Sequence, residues 1–421
     1  MVARRMRRAA AVISLGTVLG ITVLVLALSL AVRQPCAAGD WSDGRQYRRL
    51  CYSDLVPLYG TEQLTGDRLP YLNPCMEADG QCDEYPVLTM YLMRVAGWIG
   101  RSYPAFFYAN ATFLAGFGLL TSWALHRMIG GRALYFAAAP SLLAYALVNW
   151  DLLAVGLATA GTLAYLRGRQ APAGVLLGLG AAAKLYPAFL VVPFALDRLR
   201  RRDPEGAARL SVWVVVAYAT VNLPFVVASP RSWFTFFRFN AERAVDFDSL
   251  WFVACSRLEG SPGCSLSTRL IGILSVVLFL AIAALVWRLR RARDREFPRW
   301  TFGFPLLVIF LLTNKVYSPQ YSLWLLPWFG LALPNPWLFG AFSVIDVAVF
   351  LTRFTWFGRL SAEAGDPAFA GFDGVPQGAF QVALVLRAAV LMACVVAWIR
   401  ARGEPSEPVE GSPQEVGVAA A

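Results

Sequence analysis

Long apolar runs separated by short clusters of arginine dominate this chain, and that alternation leaves few folds open to it. An apolar stretch of roughly 17–25 residues crosses a bilayer as a helix, the one single-segment structure that satisfies its own backbone groups there. The first such run, Ala9–Val32, follows Arg4, Arg5, Arg7 and Arg8. It is longer than the ~7–15-residue core of a secretory signal and closes without a small-residue cleavage site. It therefore reads as an uncleaved span. Hydrophobic residues make up 57% of the 421, more than a soluble domain could bury. The net charge of +11 would point to nucleic acid in a soluble chain. Here the basic residues lie between apolar runs, as the positive-inside rule describes, which argues against nucleic-acid binding.

The expected fold is an all-α polytopic membrane protein of about twelve transmembrane helices. The spans fall near 10–32, 104–126, 133–148, 152–166, 172–183, 187–197, 210–228, 268–288, 300–313, 319–332, 337–352 and 379–399. Several between 133 and 197, and between 300 and 352, are shorter than the ~20 residues of a full crossing. Short broken helices persist in a membrane where they line a cavity or pack within protein. Tyr85–Gly100 reads as an interfacial or re-entrant helix, because counting it as a span would place Arg127 and Arg132 outside. Arg127, Arg132, Arg167, Arg169, Arg198–Arg209, Arg288–Arg299, Arg400 and Arg402 then share the cytoplasmic side.

This topology divides the chain into four parts. Residues 1–33 hold a cytoplasmic N-terminus and the first span, and 34–103 form a first extracytoplasmic loop with interfacial helices. Residues 104–399 are the multi-helix transmembrane domain. Residues 400–421, rich in Pro, Glu, Gly and Ser, read as a disordered cytoplasmic tail. Outer loops run from about Arg33 to Tyr85, Ala228 to Thr268 and Arg353 to Gln377. The expected location is the plasma membrane, multi-pass, with both termini inside.

The chain contains only two lysines, in matching phrases: Lys184-Leu185-Tyr186-Pro187 and Lys315-Val316-Tyr317-Ser318-Pro319. Lysine offers a compact, mobile ammonium where arginine offers a planar fork. Both phrases emerge on the outer face, where Lys184, Tyr186, Lys315 and Tyr317 suit an anionic lipid headgroup. Interfacial anchoring of two helix ends by Lys and Tyr is the blander alternative, but the repetition of the phrase is hard to explain by anchoring alone.

Cysteines fall in even numbers on that face: Cys36, Cys51, Cys75 and Cys82 in the first loop, Cys255 and Cys264 in the second. That distribution fits disulfides in an oxidising space, with the first-loop pairing open among three connectivities. No metal site is expected, since the single histidine, His126, lies at the cytoplasmic end of a span and no close C-x-x-C pair is present. No cofactor is implied either.

In the first loop Asp54 stands among apolar and aromatic residues, Cys51-Tyr52-Ser53-Asp54-Leu55. A carboxylate beside a membrane-facing cavity can act as a general base on a hydroxyl, and the same Asp also suits a turn or helix cap. Asp67, Glu77, Asp79 and Asp83 lie among Gly, Pro and polar residues and read as loop surface. In the second loop, Arg238 and Arg243 could clamp a phosphate bidentately, although an interfacial helix would show the same Arg/Phe/Trp mixture. Asn149-Trp150-Asp151 forms a polar cluster at the end of a short helix, which is costly at membrane depth unless paired or used.

Four phrases together resemble the GT-C integral-membrane glycosyltransferases of family 87. They are Glu84-Tyr85-Pro86, Asn149-Trp150-Asp151, Gly178-x-Gly180-Ala-Ala-Ala-Lys184-Leu-Tyr186-Pro187, and Asn314-Lys315-Val316-Tyr317-Ser318-Pro319-Gln320-Tyr321. The resemblance extends over roughly 50–400. It implies transfer of mannose, or arabinofuranose in some members, from a polyprenyl-phosphate donor to a cell-envelope glycolipid or polysaccharide. It also implies a first-loop acid as catalytic base, which maps onto Asp54, while the outward-facing histidine of some mannosyltransferases has no counterpart here. Lys184 and Lys315 then hold the donor phosphate, with Tyr186, Tyr317 and Arg238 or Arg243 assisting. Glu84, Tyr85, Trp150, Asp151 and Gln320 become sugar or acceptor contacts. A lipid-linked sugar flippase would share the spans and broken helices, and a non-catalytic scaffold would have no use for Asp54.

Overall fold

The computed structural model describes residues 13–75, 82–259, 264 and 266–401. Arg4, Arg5, Arg7, Arg8, Glu77, Asp79, Arg402 and the tail from Gly403 lie outside the described residues. The protein is an all-α polytopic membrane protein, with no strand among the described residues.

Helix starts follow local chemistry. Ser14 caps α1 (Leu15–Arg33) by accepting from Thr17 N–H, and Ser102 caps α3 (Tyr103–Ile129) by accepting from Ala105 N–H. Proline occupies the first turn of α3, α4 (Pro140–Tyr145), α7 (Pro187–Arg200), α8 (Pro204–Ala228), α9 (Pro230–Glu242) and α14 (Pro336–Glu363). Its missing N–H costs nothing at that position. Among the described residues, six helices are long and apolar enough to cross a membrane: α1, α3, α8, α11 (Thr268–Arg293), α14 and α15 (Gln377–Arg400).

Shorter apolar helices fill the interior. They include α2 (Val87–Ile99), α5 (Asp151–Leu166), α6 (Gln170–Ala183) and α12 (Gly303–Thr313). The expected span 133–148 is broken into single turns and α4, and 319–332 into a 3₁₀ segment, Pro319–Trp324, and α13 (Leu326–Leu331). The broken 319–332 segment is buried at Pro319, Gln320, Ser322, Leu323 and Trp324, as are fourteen of the sixteen residues of α5. The third outer loop begins later than expected. α14 continues through Arg353 to Glu363, because Arg353 turns inward to a carboxylate partner and does not end the helix as a solvated charge.

The α6–α8 contact sets the position of one end of the bundle. A Cβ on Gly174 would come within 2.4 Å of the Leu210 carbonyl oxygen, and one on Gly178 within 2.5 Å of that of Val214. Two small residues four apart let the backbones touch. Gly178, part of the family-like phrase, is thus explained by helix packing. Gly180 sits 3.1 Å, by the same construction, from the Pro187 ring, so the chain can turn tightly from α6 through Lys184 into α7.

At the opposite end of α5, Tyr165 donates to Asp197 at 2.8 Å and Arg198 donates to the Tyr165 carbonyl at 3.2 Å. Asp197 also accepts from Arg201 and from Arg299 N–H. Arg200 pairs with Glu296, and Arg290 reaches the Ala401 carbonyl. The arginine clusters therefore gather at one end, away from both lysines.

Gly178→Val should lower stability by about 1–3 kcal/mol through overpacking, read as a lower melting temperature in detergent. Gly116→Val, where no heavy atom lies within 4 Å of the added carbon, should leave the melting temperature unchanged.

Candidate active site

Two loops are folded onto the lysine-bearing end of the bundle. In the first, Cys36 joins Cys51 and Cys75 joins Cys82; in the second, Cys255 joins Cys264. Cys394 is free and buried in α15.

Asp54 lies in a short segment laid against residues 147–149. Its N–H donates to the Val148 carbonyl at 2.8 Å, and the Ser53 hydroxyl donates to the Leu147 carbonyl at 2.5 Å. One carboxylate oxygen accepts from Tyr52 Oη at 2.7 Å, the other from Asn149 Nδ2 at 2.7 Å. Asn149 Nδ2 also lies 2.6 Å from Tyr85 Oη. The carboxylate is half-buried. Burial pushes its pKa up, opposed by the two hydrogen bonds and by the charges of Arg353 and Lys184. Glu84 is half-buried beside it, its pKa also raised by burial, with Arg243 opposing and Asp54 adding to the rise. Arg243 stands near Tyr85, Tyr321 and Asp54, and pairs with Asp246 at 3.4 Å.

The two lysines have different partners. Lys184 Nζ pairs with Asp151 at 2.9 Å, and Asp151 is fully buried and also accepts from Trp324 Nε1 at 2.6 Å. The ammonium lies 4.7 Å from the centre of the Tyr321 ring and 5.9 Å from those of Tyr85 and Trp324, a cation–π setting. Lys315 Nζ meets no carboxylate among the described residues. It donates at 2.7 Å to the carbonyls of Ala241 and Arg243, at the C-terminal end of α9, where a cation is favoured by the helix dipole. The Lys315 carbonyl in turn accepts from Asp246 N–H. Burial and Arg243 hold the Lys315 ammonium below its usual pKa.

Lys315 also borders a groove of about 660 Å3 between α9 and α11. Gly272, Ile273, Val276 and Val277 form its apolar wall, and Arg269 and Glu242 stand with Lys315 among its polar residues. Asp54 does not line it.

Several residues read as substrate contacts are occupied within the protein. Trp150 is buried and donates to Asn110 at 2.7 Å. Asp151 serves as the counter-ion of Lys184, and Gln320 is buried. Tyr186 is buried and stacks on Trp324 at 4.3 Å. Tyr317 is buried beneath the Arg387 guanidinium at 3.8 Å, its hydroxyl toward Ser322. Arg238 is exposed on α9 and has no ion-pair or hydrogen-bond partner among the described residues. Asp83, read as loop surface, is buried against Arg68 at 2.6 Å.

Other groups were missed. Arg353 pairs with Asp248 at 2.6 Å, and Asp346 in α14 accepts from Ser141 and Ser322 beside Arg387 at 3.6 Å. Burial pushes Asp248 up to about 7 against the pull of Arg353. An acid inside an apolar run is itself a signal of pairing, and Asp346 offered it. Tyr52, two residues before Asp54, offered none beyond proximity.

Asp151→Asn should leave Lys184 without its anionic partner and cost about 1–3 kcal/mol. Thermal unfolding in detergent should show a lower melting temperature that Asp151→Asn combined with Lys184→Gln partly restores. Equal losses in single and double variants would contradict the pairing.

No curated protein matches the chain. The solved structures similar to the chain include two of ArnT from Cupriavidus metallidurans, each at 16% identity over 90% of this chain. The form bound to undecaprenyl phosphate has a TM-score of 0.39 with 78% of its chain covered. The apo form has 0.42 with 77% covered. The model of glycosyltransferase family 87 matches residues 84–319, a stretch that holds Glu84, Lys184, Arg243 and Lys315 and begins after Asp54. More than half of the sequence fits that family, and the chain belongs to glycosyltransferase family 87.

Proposed function

We propose that the protein is an inverting glycosyltransferase that moves a sugar, mannose first among the candidates, from a polyprenyl-phosphate donor to a glycolipid or polysaccharide of the cell envelope. The loops carrying Asp54 and Arg243 face the extracytoplasmic side, and the arginine-rich end faces the cytoplasm. The observation that carries the reading is a single juxtaposition. A half-buried carboxylate with both oxygens hydrogen-bonded stands beside Glu84 and Arg243, and Arg243 adjoins Lys315 at the edge of a lipid-facing groove.

In the proposed reaction the lipid tail of the donor lies along Ile273, Val276 and Val277, and its phosphate meets Lys315 and Arg243. Lys184 is already neutralised by Asp151, so it contributes less to the phosphate than the sequence alone implied. Asp54 takes the proton from the acceptor hydroxyl. The hydroxyl oxygen forms a bond to the anomeric carbon from the face opposite the phosphate. The bond from that carbon to the phosphate oxygen breaks, and its electron pair leaves with the phosphate. Cations placed where the leaving charge develops lower the barrier. Glu84 and Tyr85, both half-buried beside Asp54, are the proposed contacts to sugar hydroxyls.

Purified protein incubated with radiolabelled polyprenyl-phosphate mannose and a lipid acceptor extract should form labelled glycolipid. Asp54→Asn should abolish product. Sugar-lipid crossing liposomes with no product in any acceptor extract would favour a flippase instead, and transfer from arabinofuranosyl donor alone would change the sugar.

The pH profile follows from the site. A base acts only when deprotonated, and burial raises the Asp54 pKa. The acid limb of kcat/KM should therefore lie above the ordinary aspartate range of about 3.9, and an acid limb at or below that value would contradict the assignment. Lys315→Gln should raise donor KM about tenfold, equivalent to ~1.4 kcal/mol, with acceptor KM unchanged. Steady-state kinetics with each substrate varied in turn checks this.

A further inference from the structure

Asp54 is fixed to a degree that a surface carboxylate is not. Its backbone N–H is tied to Val148, and each oxygen accepts a hydrogen bond from a different element, Tyr52 from its own loop and Asn149 from the turn before α5. The Tyr52 ring is itself held, 5.2 Å from Phe354, 5.6 Å from Trp41 and 6.1 Å from Tyr47. Asn149 is buried, and its side-chain oxygen accepts from Trp150 N–H at 2.7 Å. That bond sets the orientation of the amide, so that Nδ2 faces Asp54.

We propose that Tyr52 and Asn149 are positioning residues for sugar transfer, two fixed donors that hold the Asp54 carboxylate in one orientation with a lone pair left on each oxygen for the incoming hydroxyl. The inference rests on the reading of Asp54 as the base. A carboxylate has about four lone-pair sites, and two donors leave half of them free. Donation to the ionised form also favours that form. Both bonds oppose the rise that burial causes in Asp54, so their loss makes the carboxylate easier to protonate. The other titratable or charged groups around this carboxylate are Tyr47, Tyr85, Glu84, Lys184, Arg243 and Arg353, of which Arg353 and Lys184 oppose the rise in its pKa. Tyr52→Phe leaves all of them in place.

The test compares kcat, both KM values and the pH profile of the full-length protein, using polyprenyl-phosphate mannose and a lipid acceptor extract. Tyr52→Phe keeps the packed ring and removes only the hydroxyl. The expected result is a kcat lower by about 10–100-fold, the scale on which misorientation of a reacting group acts. KM values and melting temperature stay unchanged, and the acid limb moves to higher pH. Tyr47→Phe, which removes a neighbouring hydroxyl that does not bond Asp54, should leave all four readouts as they were. Asn149→Ala should shift the acid limb in the same direction; because Asn149 also orders Trp150, any loss of its stability leaves Tyr52→Phe to decide. An unchanged kcat and acid limb in Tyr52→Phe would overturn the positioning role while Asp54→Asn remained inactive. Full activity in Asp54→Asn would instead remove the base, and this inference with it.

Discussion

Charge brought beneath the surface of this protein has to be paired there, and the architecture of the lysine-bearing end follows from that constraint. A buried ion left without its partner costs several kcal/mol, about 3–5 in measured cases. Arg387 of α15 reaches Asp346 of α14 and the Asp248 carbonyl of the second loop. Arg353, one helical stretch further along α14, holds the Asp248 carboxylate. Asp246 accepts from Ser318 and donates its N–H to the Lys315 carbonyl. The ties to Asp246 and Asp248 hold the second loop to α14, α15 and the Lys315–Ser318 turn, so that loop is docked by ionic and hydrogen-bonded contacts and not by apolar area alone. The first loop is docked in the same manner through Ser53, Asp54 and the carbonyls of 147 and 148.

The proposed catalytic geometry and stability therefore share residues at this end. The glycine contact of α6 on α8 positions the turn that carries Lys184, and Lys184 is then held by Asp151 at the start of α5. The residue just before that helix, Asn149 with Trp150 between, faces Asp54. The start of the short, deeply buried α5 thus presents two polar groups, one residue apart, to opposite partners: Asn149 to the first loop, Asp151 to the α6–α7 turn. Such an arrangement explains why a polar triplet persists at the end of an apolar helix. Each oxygen and nitrogen of the Asn149 amide and the Asp151 carboxylate has a hydrogen-bond partner.

Much of this was legible in the sequence, and what was not has physical causes. Apolar runs placed the helices, because that signal acts locally. Even cysteine counts in each loop anticipated disulfides, and Cys255 with Cys264 had only each other. The fate of Arg353 was hidden because a charge at the end of an apolar run looks the same whether it meets solvent or a buried Asp248. Trp150 and Tyr317 misled in the same way. Each stands in a family-like phrase, yet contact with Asn110 or Arg387 turns its polar atom inward, and only tertiary structure reveals such partners.

The matching lysine phrases illustrate how little local sequence says about charge once a chain has folded. Both ammonium groups emerge where one apolar helix gives way to the next, and both are partly sequestered. Lys184 faces a carboxylate at 2.9 Å, so the pair presents almost no net charge to an arriving phosphate. Lys315 faces two neutral carbonyls, with no carboxylate paired to it among the described residues, at the edge of an apolar groove. Coulomb attraction at a given distance depends on net charge and local dielectric, so in the proposed reaction the second lysine is the stronger anion site even though its phrase is nearly the same. Lys184 acts at shorter range, as a cation held among Tyr85, Tyr321 and Trp324 whose field still reaches Asp54. In the proposed reaction one lysine serves the leaving group and the other the base, a division of labour that follows from the partner each has found.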